Sequence, residues 1–178
     1  MDSTIFERTI VRRATEKDIS SIAEINAAAF TGNKDDISVA TRWVECWLRA
    51  FPLYQYFVAE VDGKVLGYIG WQVHGGFLRP EPVVELEQTA IAEDARGQKL
   101  GPKLDEESLR LIVEWMRENN PRIKNELVVV VWAYATNTRA LTSYSGLFED
   151  GMLGLRTQYD GKPEAMLRRR IPMREWLA

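Results

Sequence analysis

The sequence predicts an α/β fold, a sheet with helices on both of its sides, and three stretches carry that prediction. Val83 to Asn119 reads as a strand, a glycine-containing loop and an amphipathic helix, in that order. Asp62-Gly63 separates two strand-like runs, a strong two-residue hairpin signal. Leu127 to Ala135, LVVVVWAYA, is a continuous apolar run bounded by turn signals, the pattern of a strand buried on both faces. The 178 residues suit one domain long enough to bury a core, and nothing in the composition marks a second.

Taken in order, Thr9 to Arg13 forms a short strand. Thr15-Glu16-Lys17-Asp18 then offers an N-cap with an acidic residue three positions on. The helix that follows spaces Ile19, Ile22, Ala23, Ile25, Ala29 and Phe30 close to a helical period, and Thr31-Gly32-Asn33 ends it. A second helix, from about Ile37 to Phe51, stacks Trp43, Trp47 and Phe51 at four-residue spacing, a stripe read as core ahead of a substrate pocket. Tyr56 to Val61 and Lys64 to Val73 are the arms of the hairpin. His74-Gly75-Gly76 opens a loop that Pro80 and Pro82 keep irregular, and His74, the only histidine, is assigned no role.

The strand Val83 to Ile91, the loop Ala92 to Gly101 and the helix Pro102 to about Asn119 come next. Pro121 separates them from the apolar strand, and Asn137 caps a short helix, Thr138 to about Phe148, carrying Ala140, Leu141, Tyr144 and Leu147. Met152 to Tyr159 and Ala165 to Ile171 make a last hairpin around Asp160-Gly161. Its second arm holds Arg168-Arg169-Arg170, read as a solvated edge. The order is strand, two helices, three strands, helix, strand, helix, two strands: about seven strands in all.

A net charge of −3 and a pI near 5.4 argue against a nucleic-acid partner. Cys46 is the only cysteine, so the chain can form no internal disulfide and no cysteine-based metal site, and none of its residues is assigned to a metal. No apolar run reaches the length of a signal-peptide core or a membrane span, which leads to the expectation of a soluble, cytoplasmic protein with no membrane partner.

A strand running through a loop into a helix N-terminus makes an anion cradle, because the first helical N–H groups have no intrahelical acceptor. Something phosphorylated is its natural occupant. It is not a P-loop: Gly97 and Gly101 enclose three residues and are followed by Pro102 and Lys103, and no G-x-G-x-x-G is present. Arg96-Gly97-Gln98-Lys99-Leu100-Gly101 instead resembles the Arg/Gln-x-x-Gly-x-Gly/Ala signature of the GNAT superfamily of N-acetyltransferases, with Lys99 where its first glycine usually stands. IVRRATEKDISSIAEINAAAF looks like that superfamily's opening strand and helix. Asn137-x-x-Ala140-x-x-x-Tyr144 is similar to its late motif, without the glycine that normally follows near Leu147-Phe148-Glu149. The likeness extends along nearly the whole chain and implies a mixed, mostly antiparallel sheet.

The resemblance further implies acetyl-CoA as acyl donor. Backbone N–H groups of Arg96, Gly97, Gln98, Lys99, Leu100 and Gly101 would hold its pyrophosphate, helped by the helix dipole. Asp105, Glu106 and Glu107 would repel a phosphate placed beside them and are expected to point away. The pantetheine arm would pair with the strand end Gln88 to Ile91, engaging Thr89, Ala90 and Ile91, where the fourth and fifth strands splay apart, and the N–H near Ile91 would polarise the thioester carbonyl. Glu87 stands where polyamine acetyltransferases of the superfamily carry a glutamate implicated as base. Glu85, two residues earlier, falls on the same strand face. A solvated surface is the alternative for both carboxylates. Tyr144 matches the tyrosine that protonates the departing thiolate. Asn137 caps its helix, contacts the cofactor, or does both. The implied reaction is direct acetyl transfer to a primary amine in a ternary complex. A small-molecule acceptor is expected ahead of a protein or peptide, a non-catalytic acyl-CoA-binding or partner-binding domain is the competing reading, and the Trp43 stripe or last hairpin could support a homodimer.

Overall fold

The computed structural model of the chain describes residues 4–74, 80–123, 126–145, 150–157 and 161–172. Its strands are Ile10–Arg13 (β1), Tyr54–Val61 (β2), Lys64–His74 (β3), Val83–Ile91 (β4), Glu126–Tyr134 (β5), Asp150–Thr157 (β6) and Pro163–Pro172 (β7). They hydrogen-bond in the order β1-β2-β3-β4-β5-β7-β6, and the seven-stranded sheet is mixed and mostly antiparallel. The pair β4 and β5 is parallel. Among the described residues five α-helices accompany the strands: Ile5–Arg8 (α1), Ile19–Phe30 (α2), Ile37–Arg49 (α3), Leu100–Asn119 (α4) and Thr138–Ser145 (α5). Contacts gather the chain into two compact units, Met1–Gln72 with Glu87–Glu114, and Val73–Leu86 with Trp115–Ala178.

In the first unit the hairpin turns at Asp62 and Gly63, with φ of 50° and 81°. Both positions are left-handed, the geometry that lets a two-residue turn follow the twist of its strands. On one side of the hairpin, Tyr56, Val58 and Tyr68 pack with Ile22 and Ile25 of α2 and with Val44 and Trp47 of α3. Trp71, three residues beyond Tyr68 and therefore on the other side, donates its indole N–H to Ser108 Oγ of α4 at 2.8 Å. Helices thus cover both faces of this part of the sheet. Entry into α2 is fixed by Asp18, whose carboxylate accepts from the Thr15 N–H and hydroxyl and takes both terminal nitrogens of Arg12 at 2.8 Å. That pairing holds the Asp18 carboxyl below its ordinary pKa, with the Arg12 hydrogen bond as the largest cause.

Several expectations shift. A short helix, α1, precedes β1, opened by a capping box in which Thr4 and Glu7 exchange bonds. The second helix ends at Arg49, short of Phe51, because Phe51 precedes Pro52 and that position disfavours helical backbone. Of the aromatic stripe only Trp47 is core; Trp43 is 57% exposed and Phe51 44%. His74 closes β3 and does not open the loop.

In the second unit, β5 is not buried equally on both faces. Leu127, Val129 and Val131 are buried, whereas Val128, Val130 and Trp132 are half-buried. β7 is not an edge, since it lies between β5 and β6 and pairs with both. Its arginines therefore sit on an internal strand, where Arg170 pairs with Glu126 across to β5 at 2.8 Å. Leu147, Phe148 and Glu149, Tyr159 and the turn residue Asp160 lie outside the described residues.

Candidate active site

The loop after β4 is shaped by what it buries. Ala92 N–H donates to Leu66 O at 2.8 Å, and Ala95 and Leu100 are sunk into a cluster with Val61 and Leu66, against which Ile5 of α1 packs. Between those anchors Glu93–Ala95 makes a single 3₁₀ turn, closed by Arg96 N–H donating to Glu93 O at 3.3 Å. The Arg96 side chain turns back as well, Nε donating to Ile91 O at 3.3 Å. The Arg96 N–H and Nε are thus both engaged within the loop.

From Gly97 to Gly101 the N–H groups donate to no turn or loop carbonyl among the described residues. Gly97 and Lys99 adopt φ of 81° and 59°. Alternating left-handed residues of this kind aim successive N–H groups outward, the concavity that receives anions. The helix begins at Leu100, two residues earlier than its pattern indicated, and Pro102 still falls in the first turn, where no N–H is missed. A Cβ built on Gly97 or Gly101 would meet nothing within 4 Å, so both face open space. Together with the positive end of a 20-residue helix, this suits a diphosphate. Lys103, in contrast, is committed elsewhere: its Nζ donates to Phe6 O at 2.9 Å, lies 4.7 Å from the Phe6 ring centroid and approaches Glu107 at 3.7 Å. Of the acids that open the helix, Glu106 is exposed and Asp105 is buried, its carboxyl pushed up to about 7 by that burial.

β4 feeds this loop. Its pairing with β5 runs from Val83 opposite Val128 to Leu86 opposite Val131 and stops there, although β4 continues to Ile91. Along β4, Val84, Leu86 and Ala90 are buried, Glu85, Thr89 and Ile91 are half-buried, and Glu87 is exposed. The alternation places Glu85 and Glu87 on the less buried side. Ala90 packs into the α2–α3 core, and Thr89 donates its hydroxyl to Tyr68 O at 3.3 Å. Beside Ile91 and Ala92, Glu24, Ile25 and Ala28 of α2 help enclose a small apolar cavity of about 190 Å³.

Three further polar residues meet at β4. Asn26 Nδ2 donates to Tyr68 Oη at 2.6 Å and to Gln88 Oε1 at 2.9 Å, and the Tyr68 hydroxyl donates to the same Gln88 oxygen at 3.0 Å. Burial pushes the Tyr68 phenol well above its ordinary pKa, and the neighbouring Tyr56 phenol rises too, through burial first and then the nearby Tyr68 and Glu87. The available signal was Asn26, a polar residue one turn after Ile22 in the apolar stripe of α2. Glu85 and His74, of the second unit, stand with Oε2 and Nε2 2.8 Å apart. Asn137 Oδ1, also in that unit, accepts from Ala140 N–H at 3.1 Å, so the expected cap is made, and Tyr144 is half-buried on the helix it starts.

The model of the acetyltransferase (GNAT) family matches residues 19–146, nearly three-quarters of the sequence and all of the segment just described. The chain belongs to the GNAT family. Enzymes of that family draw on acyl-CoA donors, and the open cradle from Gly97 to Gly101 fits the diphosphate of such a donor. Solved structures share the GNAT fold at low sequence identity. A variant of the spermidine N-acetyltransferase of Vibrio cholerae aligns with a TM-score of 0.69 at 12% identity, covering 97% of this chain and 98% of its own. The ribosomal-protein-S18-alanine N-acetyltransferase of Escherichia coli gives 0.63 at 18%, covering 92% and 94%. A GNAT acetyltransferase of Streptococcus pneumoniae gives 0.59 at 17%, covering 92% and 99%. No curated protein matches the sequence. No described helix is long and apolar enough to cross a membrane.

Proposed function

We propose that this GNAT protein transfers an acetyl group from acetyl-CoA to a primary amine, and that the amine is carried by a small molecule. The observation that carries the reading is the edge of β4: five residues, Glu87 to Ile91, continue past the last β5 pair and lead, through the Glu93–Ala95 turn, to the N–H groups of Gly97 to Gly101. An extended ligand with a diphosphate at one end can add to such an edge through main-chain bonds while its anion rests on the helix.

Bound acetyl-CoA would supply an acyl group activated as a thioester. Thr89, Ala90 and Ile91 would orient its arm, with the Ile91 N–H directed at the carbonyl oxygen. Glu87, exposed on the same strand, would take a proton from the incoming ammonium, directly or through water, since only the neutral amine attacks. Glu85 is the secondary candidate for that work, next to His74. Tyr144 would return a proton to the departing sulfur, and Asn137 would hold the Tyr144 helix in register through its cap. A carboxylate and a phenol on separate elements, acting in succession, are consistent with direct transfer in a ternary complex.

Release of CoA thiol, followed across polyamines, amino acids, aminoglycosides, arylamines and short peptides at mildly alkaline pH, tests the proposal. Turnover with one small-molecule class, lost in Glu87→Gln and slowed in Tyr144→Phe, is the expected result. Turnover with peptides alone would move the acceptor to a polypeptide. Full activity in both variants would overturn the two role assignments.

A further inference from the structure

A second, larger cavity of about 570 Å³ opens in the first unit, bounded by Arg13, Glu16, Glu45, Arg49, Phe51 and Tyr54 among others. It shares no lining residue with the loop from Ala92 to Gly101 or with β4. Its size is that of a small-molecule site.

Its four charged side chains form no ion pair among the described residues. Arg13 is half-buried, with its guanidinium 4.8 Å from the Phe51 ring centroid and 5.1 Å from that of Phe57. Nη1 donates to Gln55 Oε1 at 2.9 Å, a neutral partner. Among the described residues no carboxylate pairs with it, and burial lowers its pKa. Arg12, one residue earlier, takes two carboxylates, Asp18 and Glu60. A half-buried cation set beside two aromatic rings without a counter-ion is costly unless something else supplies the charge. Arg49, Glu16 and Glu45 likewise have no ion-pair partner among the described residues, although Glu45 and Arg49 are one helical turn apart.

Two cations and two anions around one aromatic-walled space exclude the simpler ligands. A bare anion would meet Glu16 and Glu45, and a polyamine would meet Arg13 and Arg49. We infer that this cavity binds a small zwitterion, an α-amino acid with an apolar side chain, its carboxylate on Arg13 and Arg49, its ammonium toward Glu16 and Glu45. The apolar side chain would lie against Phe51 and Tyr54, and bidentate pairing with guanidinium would orient the carboxylate.

Calorimetric titration of the full chain with L-phenylalanine, 3-phenylpropionate and 2-phenylethylamine separates the contributions, and it needs no turnover, so it stands or falls apart from the acetyl-transfer reading. L-Phenylalanine is expected to bind at least about tenfold more tightly than either truncated probe, since each lacks one charged contact. Arg13→Met should weaken phenylalanine and phenylpropionate and spare phenylethylamine; Glu45→Gln should weaken phenylalanine and phenylethylamine and spare phenylpropionate. Arg49→Met, an exposed change with little bearing on folding, repeats the first test should Arg13→Met unfold the chain. Equal affinity for all three probes, no binding at millimolar concentration, or variants that weaken every probe alike would each overturn the proposal.

Discussion

Replacing Asp105 by asparagine isolates the cost of a charge in the wrong place. Asp105 lies on the buried face of α4, 7% exposed, with Oδ1 lacking a hydrogen-bond partner. Burial raises its carboxyl from 3.8 to about 7. The native state therefore holds a proton that the unfolded chain releases. Below about pH 4 both states are protonated and the group contributes nothing; as pH rises from about 4 to 7 the unfolded state ionises freely and stability falls, levelling off above 7. The rise to about 7 corresponds to about 4 kcal/mol at the alkaline end, an upper bound for a site that water can reach on relaxation. Asp105→Asn removes the titration and keeps the shape. Urea melts of both proteins from pH 4 to pH 8 should show similar stability at the acid end and an advantage for asparagine that grows toward pH 8, approaching a few kcal/mol. A difference independent of pH, or an asparagine variant less stable at pH 8, would refute the reasoning and point to a partner that stabilises the carboxylate.

Three other outcomes follow from local geometry. Gly70→Ala would bring a Cβ to 2.4 Å from the Tyr56 ring, which is buried and stacked on Trp47, so a loss of about 1–3 kcal/mol is expected in chemical denaturation. Gly97→Ala meets no atom but forces a Cβ into φ of 81°, so it should cost only about 1 kcal/mol in stability while weakening CoA binding severalfold by calorimetry. Lys103→Met should release α1 from α4, seen as faster amide exchange over Ile5–Arg8 and a small drop in melting temperature; unchanged exchange would mean that α1 is held by Ile5 and the Arg8–Asp62 pair alone.

Local chemistry was the legible part of this fold. Asp62-Gly63 specifies its own turn because both positions must be left-handed, and Asn137 announces a cap because its side chain reaches an N–H three residues on. The loop glycines could be read for the same reason. Features that depend on distant neighbours were not visible. α1 spans four residues, too few to show a period, and only Thr4 and Glu7 at capping-box spacing marked it. Asp105 looked like an ordinary acid in the first turns of a helix, since nothing in its surrounding sequence says which way it faces. Arg13 gave no sign of lacking a counter-ion, because that depends on where Asp18 and Glu60 fold, and both go to Arg12. The β7 arginines suggested an edge through chain order, whereas strand order put β6 outside them.

The segment of β4 beyond Leu86 has a consequence for handling the protein as well as for its chemistry. A strand edge of the kind proposed to take an extended ligand would equally take an extended segment of a neighbouring molecule, and natural sheets usually blunt such edges with charge. Here Glu87 is the one charged side chain between Leu86 and Ile91, so the residue proposed to serve catalysis would also act as a gatekeeper against self-association. Occupancy by CoA would then act as a solubilising cap: light scattering of the ligand-free protein should rise with concentration sooner than that of the CoA-saturated protein, and soonest of all for Glu87→Gln.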